Sequence, residues 1–329
     1  PVLGGWLIDA VSWRAIFLIN PFLAALTILV ARRYVPATTG ARAEGAIDVP
    51  GALTAALALG GIVFALIEGP ERGWGSLPVI AAGVTGCAML VAFLLIEARS
   101  SRAMLPLWCF RSKAFAGANA TTLFVYGALG GVFFLLTIQL QRVVGYSPLE
   151  AGLATTPMTL LLLLLSPLAG RIYDRIGPRV PMTIGPLIGG AGVALLGRTG
   201  PASGYVTDVL PGILVFGTGL GITVAPLTSA ALAALPDEQS GIAAGVNNAI
   251  ARTAQLLGVT LLPLAAGLSG IATTHGVAFS AGFSRAMWIG AAFLAAGAPI
   301  AWVTVPSEPP RPKPSVPPSP TPPPSPTKR

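Results

Sequence analysis

Long uncharged apolar runs separated by short charged links decide what this chain can fold into. They occupy residues 15–31, 50–67, 73–96, 114–141, 151–170, 180–197, 209–236, about 241–267 and 286–307, and only the eighth is broken by a charge, Arg252. Each is near or above the ~17 residues that a helix needs to cross the hydrocarbon core of a bilayer. That core offers no water to backbone N–H and C=O groups, so a spanning segment must satisfy them internally, as a helix. The expected fold class is therefore an all-α polytopic membrane protein, with the lipid bilayer as its surroundings. Composition agrees: 53 % of the 329 residues are hydrophobic and only 10 % are charged, far from the balance of a soluble domain.

The charges that remain sit mainly in the links. A net charge of +8 would point to nucleic acid in a soluble protein, but here it reads as topology and implies no nucleic-acid partner. If the link after residues 1–10 is external, the alternate links are cytoplasmic and hold Arg32, Arg33, Arg42, Arg99, Arg102, Arg111, Lys113, Arg171, Arg175 and Arg179. The external links then hold only Arg14, Arg72, Arg142, Arg198 and Arg285. Short loops rich in Arg and Lys stay inside, so the C-terminus is expected to be cytoplasmic.

One link carries a pattern of its own. Residues 170–179 read GRIYDRIGPR, a tight turn joining two antiparallel spans, with Gly170, Asp174, Arg175, Gly177 and Arg179 at G-x-x-x-D-R-x-G-x-R spacing. The pattern resembles the signature cytoplasmic loop of the major facilitator superfamily of secondary transporters. Near the start, Pro1, Gly4 and Gly5 resemble the end of the G-x-x-x-G-P-x-x-G-G motif of proton-coupled drug exporters in that superfamily. Small residues at that spacing let helix backbones approach closely. DAVSWRAIFLIN (9–20) is similar to the external link and sixth helix of the fourteen-helix drug:proton antiporters, and VNNAIARTAQLLGV (246–259) to their thirteenth helix.

The resemblance implies an order. Residues 1–33 correspond to the end of helix five and helix six, 34–113 to two additional linker helices, and 114–305 to the C-terminal six-helix bundle. Residues 306–329 form a Pro-rich tail, expected to be extended, disordered and cytoplasmic. Only about ten residues precede the charges Asp9 and Arg14, roughly half of the ~20 that a spanning helix needs, so the chain is expected to begin within a helix and to be a fragment. The implied activity is proton-coupled export of small hydrophobic or cationic compounds across a plasma membrane, that of a bacterial inner membrane. The N-terminal half would be required for transport. A metabolite transporter of the same superfamily, or a membrane fragment without turnover, remain as alternatives.

Enzyme chemistry finds no support in the residues: there is no nucleophile–base pair and no phosphate loop, and neither a metal nor a cofactor is implied. Cys87 and Cys109 do not suggest a disulfide, and His275, in a loop, has no partner cluster. What stands out is polarity at membrane depth, which is costly enough to point to function. Arg252, Asn248 and Gln255 fall at i, i−4 and i+3 and form one stripe. Its charge could serve a substrate or proton pathway, or bind backbone carbonyls. Asn119, Thr122 and Tyr126 share a face of another span and could line a cavity or bond between helices. Asp174, with Arg175 and Arg179, could form a charge relay. Gln139 and Gln141 are expected at the external mouth, and Asp48 at the cap of the helix that follows it. Gly127/Gly131 and Gly241/Gly245 are expected to pack closely. Gly217, Gly219 and Gly221 could either pack or let a helix bend during gating.

Overall fold

The computed structural model describes residues 2–34, 48–100, 103–268 and 276–309; Pro1, Arg42, Arg102, His275 and the tail from 310 onward lie outside the described residues. Ten α-helices follow one another: α1 (Val2–Ala10), α2 (Ala15–Tyr34), α3 (Val49–Arg72), α4 (Leu77–Arg99), α5 (Lys113–Gln139), α6 (Pro148–Ile176), α7 (Arg179–Leu196), α8 (Leu210–Ala233), α9 (Ser240–Ala265) and α10 (Gly276–Thr304). Short π turns, Leu140–Val144 and Tyr205–Val209, prolong α5 and precede α8. Eight of the helical segments are long and apolar enough to cross a bilayer. α9 matches them in length but is not among the eight, because Asn247, Asn248, Arg252 and Gln255 dilute its apolar character.

Helix starts follow the local chemistry. The Asp48 carboxylate accepts from the Gly51 N–H at 2.9 Å and caps α3, with Pro50 in its first turn. α6 opens on a capping box: Ser147 Oγ accepts from the Glu150 N–H, and Glu150 Oε2 accepts from the Ser147 N–H. A third acceptor at this end comes from α1, where Asp9 Oδ2 takes the Leu149 N–H at 3.0 Å. Gly5 makes that contact sterically feasible, since a Cβ there would lie 2.6 Å from the Pro148 carbonyl oxygen.

The helices α5 to α10 form one bundle. α8 lies against α6 and α7, α10 against α5 and α7, and α9 against α5. Its core gathers Phe216, Phe279, Phe283, Leu135, Leu136 and Leu196, all buried. α3 and α4 pair with each other and touch the bundle chiefly through α9, while α2 buries no residue. At the foot of the α3–α4 hairpin Glu97 is buried, and its Oε2 accepts from the Leu105 N–H at 2.8 Å. Nearby, burial pushes the Cys109 thiol up from its ordinary range. Both cysteines are free.

The structure departs from the sequence reading at several points. α6 runs on through Arg171, Asp174 and Arg175, so the turn expected over 170–179 shrinks to Gly177 and Pro178. Nothing in 170–176 breaks a helix, and long charged side chains tolerate a helix end at an interface. The break comes at Gly177, whose φ of 79° suits glycine. The last helix begins at Gly276 instead of 286, which places Arg285 inside it rather than in an external link. A single Arg does not stop a helix, being a good helix former. Gln139 is buried rather than at a mouth: its Nε2 donates to the Thr199 carbonyl at 2.7 Å and to Ser280 Oγ at 3.1 Å.

Glycines sort by contact. A Cβ on Gly219 would lie 2.6 Å from the Gly185 carbonyl oxygen and against the Gly189 backbone, so α7 and α8 meet backbone to backbone. Gly217 and Gly221 face Met158 and Leu165 of α6, and Gly131 faces the Gly258 carbonyl of α9. Gly241 and Gly245, expected to pack, have nothing within 4 Å of a built Cβ. Gly219→Ala should therefore lower stability by about 1–3 kcal/mol through overpacking. Gly245→Ala should be neutral or stabilise by up to about 1 kcal/mol through helix propensity. Thermal unfolding of the two variants in detergent checks the contrast, and equal effects would remove the assignment of the α7–α8 contact.

Candidate functional site

The seam between α5 and α9 collects most of the polarity at membrane depth. On α5, Asn119 and Thr122 are buried. Asn119 Nδ2 donates to the Phe115 carbonyl at 2.9 Å, which turns its Oδ1 toward α9, and Thr122 Oγ1 donates back to the Ala118 carbonyl. From α9, Asn247 Nδ2 donates to both Asn119 Oδ1 at 3.1 Å and Thr122 Oγ1 at 2.8 Å. One amide thus ties two helices with its two N–H bonds.

Asn247 was not singled out by spacing, which drew attention to its neighbour Asn248. The signal lay in the apolar positions around it: Ala243, Val246, Ala251 and Ala254 are buried, and Asn247 shares their face. Asn248 is one residue on, rotated by about 100°, and is exposed. The Asn-Asn pair therefore serves two surfaces, one within the bundle and one outside it.

The outward surface of α9 carries Asn248, Arg252 and half-buried Gln255. Arg252 Nη1 donates to Gln255 Oε1 at 3.1 Å, while half-buried Tyr126 of α5 packs against the apolar core. The structure thus brings Arg252 and Gln255 together on the outward side of α9, while Asn119 and Thr122 lie inside the seam and Tyr126 packs on the core. Gly241 and Gly245 continue the same exposed stripe toward the start of α9.

The residues of 170–179 divide differently. Tyr173 is buried with Met182, Leu227 and Val305. Arg179 Nε donates to the Val305 carbonyl at 2.9 Å, and its guanidinium lies 5.7 Å from the Trp302 ring centre. A Cβ on Gly177 would sit 2.5 Å from the Ser307 carbonyl oxygen. Gly177 and Arg179 therefore clasp the end of α10. Gly170 has no close neighbour, and Asp174 and Arg175 point outward. Among the described residues no ion pair links Asp174 to Arg175 or Arg179 in this structure. The described residues also contain no group of three His, Cys, Asp or Glu side chains placed to hold a metal.

A bundle of membrane-length helices, two of them tied by buried polar residues at the α5–α9 seam, defines a polytopic membrane protein. The sequence profile of the Major Facilitator Superfamily matches residues 1–259, and the chain belongs to that family. It is 35 % identical over 280 residues to the multidrug resistance protein Stp of Mycobacterium tuberculosis, covering 84 % of this chain and 51 % of that protein. It is 31 % identical over 270 residues to the methylenomycin A resistance protein of Streptomyces coelicolor, covering 80 % and 54 %. To the puromycin resistance protein pur8 of Streptomyces alboniger it is 31 % identical over 318 residues, covering 92 % and 62 %. The chain spans about half the length of the curated relatives it matches.

The two asparagines give a sharp test of the seam. Asn247→Ala leaves Asn119 Oδ1 buried without its partner and should cost about 1 kcal/mol, near the value for an interhelical bond in a membrane protein. Asn248→Ala should change stability by less than about 0.5 kcal/mol. Unfolding midpoints measured side by side decide this; a larger loss for Asn248 would reverse the two surfaces.

Proposed function

We propose that this protein works as an exporter of small hydrophobic, often cationic compounds, driven by protons and acting by alternating access. The reading rests on the family together with relatives whose names are those of drug and antibiotic resistance proteins. The observation that carries it is the outward stripe of α9. Arg252 faces away from its own bundle on a helix whose opposite side is pinned by Asn247. A charge kept at that depth is costly, and a water-filled cavity between two bundles is the setting in which it is tolerated.

On this proposal a second helical bundle stands opposite α9, and substrate passes between the two. Turnover requires that second bundle, the part of the relatives' length that this chain does not match. The protein resides in the plasma membrane, that of a bacterial inner membrane, with its C-terminus cytoplasmic. Residues 34–113 act as linker helices and residues 114–305 as the moving C-terminal bundle. Gly177 and Arg179, clasping the end of α10, hold the cytoplasmic end of that bundle together while it rocks.

Dye efflux normalised to detergent-stable protein tests the role of Arg252 in cells that also supply the second bundle. Arg252→Lys should keep most of the proton-dependent efflux, whereas Arg252→Gln and Arg252→Ala should lose at least about tenfold with unchanged protein levels. Normal efflux per molecule in Arg252→Ala would remove Arg252 from the pathway. Efflux without a proton gradient would remove the coupling. Orientation is checked separately after replacing Cys87 and Cys109. A cysteine placed at Arg72 should react with an impermeant thiol reagent in intact cells, and one at Arg99 should not. The opposite pattern overturns the topology.

A further inference from the structure

Arg285 has no place in the transport reading, and its surroundings are specific. It lies seven residues inside the apolar stretch Ala278–Thr304 of α10, about 10 Å along the helix at ~1.5 Å per residue. The side chain is exposed, and among the described residues it makes neither a hydrogen bond nor an ion pair. Its guanidinium passes 3.7 Å from where a Cβ on Gly267 would stand, so it rests over the C-terminal end of α9. A guanidinium inside an apolar stretch, without a partner among the described residues, is suited to take an anionic one.

Two hollows meet beside it. One, of about 460 Å³, has Arg285 and exposed Trp288 at its rim, above Gly267. The other, of about 260 Å³, runs between α5, α9 and α10 and has no polar side chain in its wall, which includes Leu123, Leu257, Leu261 and Phe293. A cationic hollow therefore adjoins an apolar groove between three helices, with Ala265 and Ile289 in the wall of both.

We propose that this is a binding site for an anionic phospholipid, its phosphate on Arg285 and one acyl chain in the groove between α5, α9 and α10. Polarity and charge together choose the occupant. A free anion makes no use of the groove, an uncharged lipid leaves Arg285 without a counter-charge, and a cationic drug is repelled by it. Trp288, amphipathic and at the rim with Arg285, is the residue type that settles at headgroup depth. A phosphate here would also draw the end of α9 toward α10, because Arg285 already lies over Gly267. The site is separate from the Arg252 stripe, so it stands or falls independently of the transport reading.

The full chain, purified in a non-ionic detergent, is titrated with phosphatidylglycerol, with diacylglycerol, which lacks the phosphate, and with inorganic phosphate, which lacks the chain. Native mass spectrometry reads the adduct and thermal unfolding reads its effect. Phosphatidylglycerol should be retained one to one and should raise the unfolding midpoint, and the other two should do neither at the same concentration. Arg285→Gln should reduce the adduct roughly fivefold or more, as expected for loss of one Arg–headgroup contact, and Arg285→Lys should keep most of it. Ala265→Trp fills the junction at an exposed position and should abolish the adduct with the lipid-free midpoint unchanged; Leu261→Trp serves if that variant does not fold. Equal retention by wild type and Arg285→Gln overturns the proposal. So does displacement by inorganic phosphate alone, or retention of diacylglycerol as strong as that of phosphatidylglycerol.

Discussion

Backbone-to-backbone approach is the interaction on which the bundle depends. Between helices already surrounded by hydrocarbon, burying one more apolar side chain gains little, and association comes from close packing and interhelical hydrogen bonds. α7 and α8 show the first of these, with Gly185 and Gly189 meeting Gly219 where no side chain could fit. α5 and α9 show both, through Gly131 against Gly258 and through Asn247 bonded to Asn119 and Thr122. Since α8 also rests on α6 and α10 joins α7 to α5, these two tight pairs fix the spacing of all six helices.

That dependence explains which parts of the structure were legible in the sequence. Spans could be read from uninterrupted apolar runs because the bilayer imposes length and polarity on each helix separately. The Asp48 cap was equally local. Helix ends were harder, since a charged residue near an interface is compatible with either a loop or another helical turn. Arg171, Asp174 and Arg175 proved to be helix, and so did Arg285. Pairing was not legible at all from spacing. The Gly127/Gly131 and Gly241/Gly245 pairs look alike in sequence, yet Gly127 and Gly131 lie against α9 and α10 while Gly241 and Gly245 face open space. What separates them is the neighbour, and a neighbour is a property of the bundle.

The same limit applies to the polar residues, and α9 shows why. Asn247 and Asn248 are adjacent and chemically identical, and a turn of about 100° sends one into the seam and the other outward. Periodicity groups Asn248 with Arg252 and Gln255, and the structure keeps that grouping at one edge of the seam. It could not show that Asn119 and Thr122 would be occupied by Asn247. Those two acceptors are bound to α9 and so are taken up with holding the seam, whereas Tyr126, one turn on, packs against the apolar core.

The seam therefore has a fixed side and an available side, and the difference bears on motion. Asn247 is held by two bonds to α5, so α9 cannot slide along α5 without leaving buried acceptors unpaired, which is costly where no water replaces the bond. The outward residues, Arg252 among them, lie on the exposed stripe of α9 and take no part in those two bonds. The end of α10 is likewise held, by Gly177 and Arg179 of its own bundle. Gly241 and Gly245 belong to that open stripe, and no described residue lies within 4 Å of a Cβ built on either, so this face of α9 is left unfilled by its own bundle.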